Sequence, residues 1–238
     1  MSNILTSGYA LDPTEARKRE KLAHRMPAGF ADFQELDYEI ARQIAIGRIL
    51  VQDSETIRNR MFDIKHPDLS LKTFRQYANN IIAELTGTAA RVTRGQERKI
   101  AISIRAGAAF LPHALKFMPD AEVGFCTQTR DEETSDPTSD SEKLKSFKGK
   151  HAIVFDPMLA TGGSMEALIN DVEEAGATGV TTVSAFTAPQ GLVRGSRMPI
   201  VREMITTPLE AGLNESAFIV GAHRPNSQLG DMGDRYFG

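Results

Sequence analysis

At 238 residues the chain is long enough to bury a full core as one domain, and its 41% hydrophobic and 25% charged residues are those of a soluble globular protein. A net charge of −3 argues against a dedicated nucleic-acid binder, and the one cysteine, Cys126, forbids an internal disulfide and fits a reducing cytoplasm. No apolar run is long enough to span a bilayer, and Met1-Ser2-Asn3 does not open a secretion signal, so a membrane partner is not expected.

The chain shows no internal repeat. Residues 1–50 read as a helical extension in front of a domain over 51–238. A charged helix starts at Pro13-Thr14-Glu15-Ala16-Arg17 and is interrupted by Pro27 and Gly29. A second helix is expected over 36–50, where Ile40, Ile44 and Ile49 lie near helical spacing. Ser70 can cap a helix that carries Phe74, Ile81, Ile82 and Leu85. Strands and helices then alternate: strand 100–104, helix 107–118, strand 122–127, strand 151–155, helix 165–175 and strand 180–186. Such alternation implies an α/β fold, a parallel twisted sheet flanked by helices on both faces. Ligands in such sheets sit beyond the carboxyl ends of the strands, and Arg105, Arg130 and Asp156 all fall just past expected strand ends. The segment 128–150 is polar, with almost no apolar anchors. It reads as a solvated loop or as a lid that closes over substrates.

The densest chemical signal is Val154-Phe155-Asp156-Pro157-Met158-Leu159-Ala160-Thr161-Gly162-Gly163-Ser164. An apolar strand delivers the carboxylate of Asp156. A glycine turn follows, and a helix starts at once. Backbone amides and hydroxyls then converge at a helix N-terminus, where the dipole favours an anion and glycine lets the backbone come close. The stretch reads as a cradle for a phosphate monoester, with an acid beside it for sugar hydroxyls or a metal. A Walker-type loop would need a Lys before Ser164, and a dinucleotide fingerprint would need a spacing that is absent. The duller reading of the turn alone is an ordinary strand-turn-helix.

Asp156-Pro157-Met158-Leu159-Ala160-Thr161-Gly162-Gly163-Ser164 resembles the signature of uracil phosphoribosyltransferases, a branch of the type I phosphoribosyltransferases. Four further segments agree in the same order. They are Ile104-Arg105-Ala106-Gly107, Thr129-Arg130-Asp131-Glu132-Glu133-Thr134, Gly212-Leu213-Asn214-Glu215 and the tail Gly230-Asp231-Met232-Gly233-Asp234-Arg235-Tyr236-Phe237-Gly238.

The resemblance implies transfer of the phosphoribosyl group of 5-phosphoribosyl 1-diphosphate (PRPP) to uracil, giving uridine monophosphate and diphosphate in pyrimidine salvage. It implies that Arg105 and Arg130 contact the diphosphate, that Asp156 binds the ribose hydroxyls, and that Met158 through Ser164 hold the 5-phosphate. Arginine's planar fork suits phosphate oxygens. Asp231 would be a late PRPP contact, and magnesium would arrive mainly with PRPP and not in a protein cage. Val220, Gly230, Asp231 and Met232 would line the base pocket in a C-terminal hood. A cytoplasmic homodimer or larger assembly, and a purine-nucleotide effector, complete the expectation. Each residue also has a structural reading: Arg105 as a surface residue at a turn, Arg130 paired with Asp131 or Glu132, Asp156 capping its turn, and Asp231 and Asp234 as tail charges.

The chain departs from the family at the base pocket. The family runs Tyr-Ile-Val-Pro-Gly-Leu-Gly-Asp there. This chain has Phe218-Ile219-Val220, then the interruption 221–228, then Leu229-Gly230-Asp231. A hydroxyl is lost, and His223, Arg224, Asn226 and Gln228 bring new polar groups. Three functions therefore stand side by side: transfer to uracil, the same transfer to another pyrimidine-like base, and a PRPP-binding regulator with little catalysis. Pockets that pair substrate polar groups discriminate strongly, so the second turns on the interruption.

Overall fold

The computed structural model describes residues 33–64, 66, 68–130, 137–140, 146–208 and 232–237. A seven-stranded sheet has the order β1-β9-β7-β5-β2-β3-β4. Its strands are β1 (Ile49–Val51), β2 (Arg98–Ile104), β3 (Glu122–Arg130), β4 (Pro137–Asp140), β5 (His151–Phe155), β7 (Gly179–Ser184) and β9 (Val201–Thr206). All neighbouring pairs are parallel except β3 with β4. A second, two-stranded sheet pairs β6 (Met158–Leu159) with β8 (Phe186–Thr187).

The central strands are apolar on both faces because helices cover both. Side chains alternate across a strand. Ile100 and Ile102 of β2 and Ile153 and Phe155 of β5 enter one core, with Val183 and Ile205. Ala101, Ala152 and Val154 enter the other, with Val180 and Met204. The first core is roofed by α2 (Glu55–Asp63), α3 (Leu71–Val92) and α4 (Leu111–Phe117). The second is roofed by α1 (Phe33–Ala45), α5 (Gly163–Glu174) and α6 (Pro189–Ser196). Ser70 caps α3, its hydroxyl accepting from the Thr73 amide at 3.1 Å, and Phe74, Ile81, Ile82 and Leu85 are buried as their spacing requires. A short last helix, α7 (Met232–Phe237), lies against α3.

Several elements differ from the sequence reading. The helix expected over 36–50 stops at Ala45, and Gly47 takes a φ of 76°. Ile49 and Leu50 belong to β1, which pairs with β9, so the sheet begins ahead of the boundary drawn at residue 51. The helix expected over 107–118 is a 3-10 turn, Ala106–Phe110, followed by α4, with Pro112 in the first α turn where its missing N–H costs nothing. The strand expected over 180–186 is two, β7 and β8. Part of the loop expected over 128–150 is an antiparallel ladder, Gln128 facing Ser139 and Arg130 facing Pro137. Strand β9 and helices α2 and α6 had no counterpart in that reading. The charged helix expected to start at Pro13 lies outside the described residues.

Candidate active site

The sheet order has a switch point between β2 and β5. From β2 the chain runs outward to β3 and β4. From β5 it runs the other way, through β7 to β9. Connections from two such neighbours leave on opposite faces, and a crevice opens at their carboxyl ends. Arg105 follows directly on β2, and Asp156 directly on β5. Both predicted residues therefore flank that crevice.

Close backbone contacts fix this end of the sheet. A methyl group on Gly107 would lie 2.7 Å from the Phe155 carbonyl oxygen, so only glycine lets the turn after β2 lie on the end of β5. The Ile104–Arg105 peptide bond is cis. The Arg105 side chain is 60% exposed and ion-pairs with Asp234 on α7. That helix is itself anchored. Arg75 Nε donates to the Tyr236 carbonyl at 2.6 Å, and the Tyr236 hydroxyl donates to Asn79 Oδ1 at 2.7 Å. The Arg235 guanidinium stacks 4.3 Å over the Phe74 ring. Burial pushes the Tyr236 hydroxyl pKa up and the Arg235 pKa down.

Asp156 is buried, and its carboxylate accepts from the Met158 amide at 3.3 Å. Its own amide donates to the Val183 carbonyl, which holds the residue on the strand end. The Pro157 carbonyl accepts from the amides of Ala185 and Phe186, and the Leu159 carbonyl from that of Ala188. The first half of the predicted cradle is thus a strand. Met158 and Leu159 are tied to β8, and the Leu159 side chain is core. The second half is different. Thr161 is exposed, and Ala160, Gly163 and Ser164 are partly so. Gly162 caps α5 at a φ of 84°, a left-handed conformation that favours glycine, and its carbonyl accepts the Glu166 amide at 2.8 Å. Gly162 offers no side-chain cap to the first turn of α5, and a helix N-terminus favours an anion.

Helix α6 backs this loop. A methyl group on Gly191 would lie 2.7 Å from both the Ala160 carbonyl oxygen and Leu159 Cγ. One on Gly162 would lie 3.2 Å from Gly191 Cα. Gly191 is therefore part of the site's scaffold. The sequence reading missed it, because close packing of two distant glycines leaves no local pattern.

Arg130 is the last residue of β3, past the level of Ile104, which pairs with Thr127. Met232 opens α7 and is buried in the first core. Val220, Gly230 and Asp231 lie outside the described residues. A shallow groove of about 710 Å³ along α3, lined by Leu71, Lys72, Arg75, Gln76, Asn79 and Asn80, contains none of the predicted site residues.

The site therefore joins an exposed arginine, a buried strand-end aspartate and a helix N-terminus at one switch point. Comparison with known proteins points the same way. The family model described as uracil phosphoribosyltransferase matches residues 69–238. The uracil phosphoribosyltransferase of Leifsonia xyli subsp. xyli is 31% identical over 213 residues, covering 80% of this chain and 99% of that protein. That of Corynebacterium efficiens is 32% identical over 204 residues, covering 82% and 93%. The solved structure of the AQ2163 protein from Aquifex aeolicus matches with a TM-score of 0.64 at 26% identity, over 79% of this chain and 97% of that one. With a family model that matches residues 69–238 and relatives aligned over nearly their whole length, the chain belongs to the uracil phosphoribosyltransferase family.

Proposed function

We propose that the protein transfers the 5-phosphoribosyl group of PRPP to uracil, releasing diphosphate and forming uridine monophosphate. The observation that carries this reading is the meeting of Arg105, Asp156 and the N-terminus of α5 at the switch point of the sheet. The anomeric C–O bond breaks as the base nitrogen bonds to the anomeric carbon, and the electron pair leaves with the diphosphate. Negative charge grows on that leaving group, and fixed cations and donors aimed at growing charge lower the barrier. Arg105 and Arg130 fill this role on the diphosphate. The amides from Thr161 to Ser164 hold the 5-phosphate, and Asp156 accepts from the ribose hydroxyls. Holding PRPP at both ends orients the anomeric carbon toward the base. Val220, Gly230, Asp231 and Met232 are the segment proposed to present the base.

Magnesium fits this site as part of the substrate. Among the described residues no group of three or more acidic, histidine or cysteine side chains stands together. The Asp156 carboxylate at the end of β5 suits an ion already held by PRPP oxygens. Bound there, magnesium would neutralise charge on the diphosphate. The same reading sets the enzyme in the cytoplasm as a homo-oligomer that answers to a purine nucleotide. Sedimentation with and without purine nucleoside triphosphates tests that part.

The activity is tested by incubating the protein with PRPP, magnesium and a panel of pyrimidines and related heterocycles. Diphosphate release with uracil preferred is the expected result. Release with another base preferred transfers the reading to that base. Binding of PRPP without turnover across the panel overturns it in favour of a regulator.

A further inference from the structure

Glu166 sits in the first turn of α5, directly behind the proposed phosphate loop. No charged residue lies between Asp156 and Glu166. The turn is thus bounded in sequence by a carboxylate on each side. An acid in a first helical turn suits the helix dipole, but it opposes a dianionic ligand at the same amides. Arg194 of α6 lies in the right place to remove that conflict. It ion-pairs with Glu166. Its side chain also runs along the loop: a methyl group on Gly162 would lie 3.3 Å from Arg194 Cδ, and one on Gly163 would lie 4.0 Å from Arg194 Nη1. The pair is exposed, Arg194 at 44% and Glu166 at 34%, so it adds little to stability.

We propose that Arg194 is a positioning residue for PRPP: it neutralises Glu166 and keeps the loop from Thr161 to Ser164 attractive to the 5-phosphate. This rests on the functional reading above and names a residue that reading does not use. The guanidinium comes from α6, the helix whose Gly191 lets it approach the loop. One short helix thus supplies both the space for the loop and its countercharge.

The test is steady-state kinetics on Arg194→Ala, Glu166→Gln and the double variant. Arg194→Ala is expected to raise KM for PRPP about tenfold, with KM for the base and kcat within about twofold, because the lost interaction bears on binding and not on the leaving group. Glu166→Gln is expected to be near wild type, and the double variant to recover most of the lost affinity. The defect should shrink as salt rises, since the repulsion is between partly exposed charges. An unchanged KM for PRPP in Arg194→Ala overturns the proposal. So does a double variant as impaired as the single one, which would make the guanidinium a direct phosphate ligand. Ribose 5-phosphate titrated into the same variants by calorimetry gives a second readout. If the wild type shows no turnover, the proposed function fails, and this titration still decides the role of Arg194.

Discussion

The two ends of the central sheet carry polar residues for different reasons. At the amino ends of the strands, buried polar side chains are matched by partners within the chain. Buried Lys99 on β2 reaches Glu122 at 3.3 Å and the Ser146 carbonyl at 3.1 Å, and Lys150 reaches the same Glu122 at 2.6 Å. His151 opens β5 and meets the Thr181 hydroxyl at 2.8 Å, and that hydroxyl donates to Glu203 at 2.8 Å. At the carboxyl ends, a charged residue next to the sheet stands out in solvent. Arg105 is mostly exposed, and the ion pair it forms with Asp234 is equally exposed. Such a pair contributes little to stability. Polar groups satisfied at one end maintain the fold. Those held out at the other end are the ones that the proposed function assigns to PRPP.

That contrast breaks first, and hardest, at Arg105. Arg105→Ala is expected to lower kcat/KM by roughly 100- to 1,000-fold, the scale of losing one fixed donor to a developing oxyanion. Its urea midpoint should stay at the wild-type value. Asp156→Asn is expected to lose activity on the same scale, with its KM for PRPP rising. A fall in stability that matched the fall in activity in Arg105→Ala would make Arg105 a structural residue after all.

A smaller effect is expected at Gly191, where the scaffold and the site meet. Gly191→Ala puts a methyl group 2.7 Å from the Ala160 carbonyl oxygen, so the loop must move. Overpacking of this kind costs about 1–3 kcal/mol. If the loop holds the 5-phosphate as proposed, the loss should also appear as a weaker PRPP affinity with the base affinity kept. Gly149→Ala is the control at the other end, where a φ of 76° gives strain but no methyl contact. It should lower the urea midpoint and leave the affinity for PRPP alone. Equal effects of both substitutions on that affinity would show that the loop does not depend on α6.

The same division explains what could be read from the sequence. Strand β5, the turn and α5 were legible because one continuous stretch carries the apolar run, the strand-end acid and the glycine cap. The central strands were legible because both faces are buried. Strand β1 was not. Ile49 continues the helical spacing of Ile40 and Ile44, and only Gly47 marks the break. Strand β9 carries Arg202 and Glu203 in its middle, and its pairing with β1 and β7 overrides that weak pattern. Strands β6 and β8 are two residues each, specified by one another across the fold. The same holds for Arg194. Nothing near it in sequence hints at a role, which arises only when Gly191 brings α6 onto the loop.

The smallest effect on activity goes with a pH dependence of stability confined to the amino end. Thr181 has one hydroxyl proton, and it goes to Glu203. Its oxygen must therefore accept from His151 Nε2–H, which fixes the tautomer. Burial, with the nearby Arg202 charge, pushes the His151 pKa down from 6.5 to about 4. A histidine lowered on folding favours the neutral form, so its stabilisation is complete above the unfolded value. As pH falls below 6.5, the unfolded chain takes a proton that the folded chain refuses until about pH 4. Stability should drop through that window by roughly 3 kcal/mol at most, and this group adds no further slope below it. Urea midpoints measured from pH 7 to pH 4 on wild type and His151→Gln check this. The variant should start lower, because the buried network is disturbed, and fall less steeply. PRPP affinity measured at pH 7 should be the same in both proteins, since His151 stands at the far end of β5 from Asp156. Parallel slopes in the two proteins would assign the acid sensitivity to other groups.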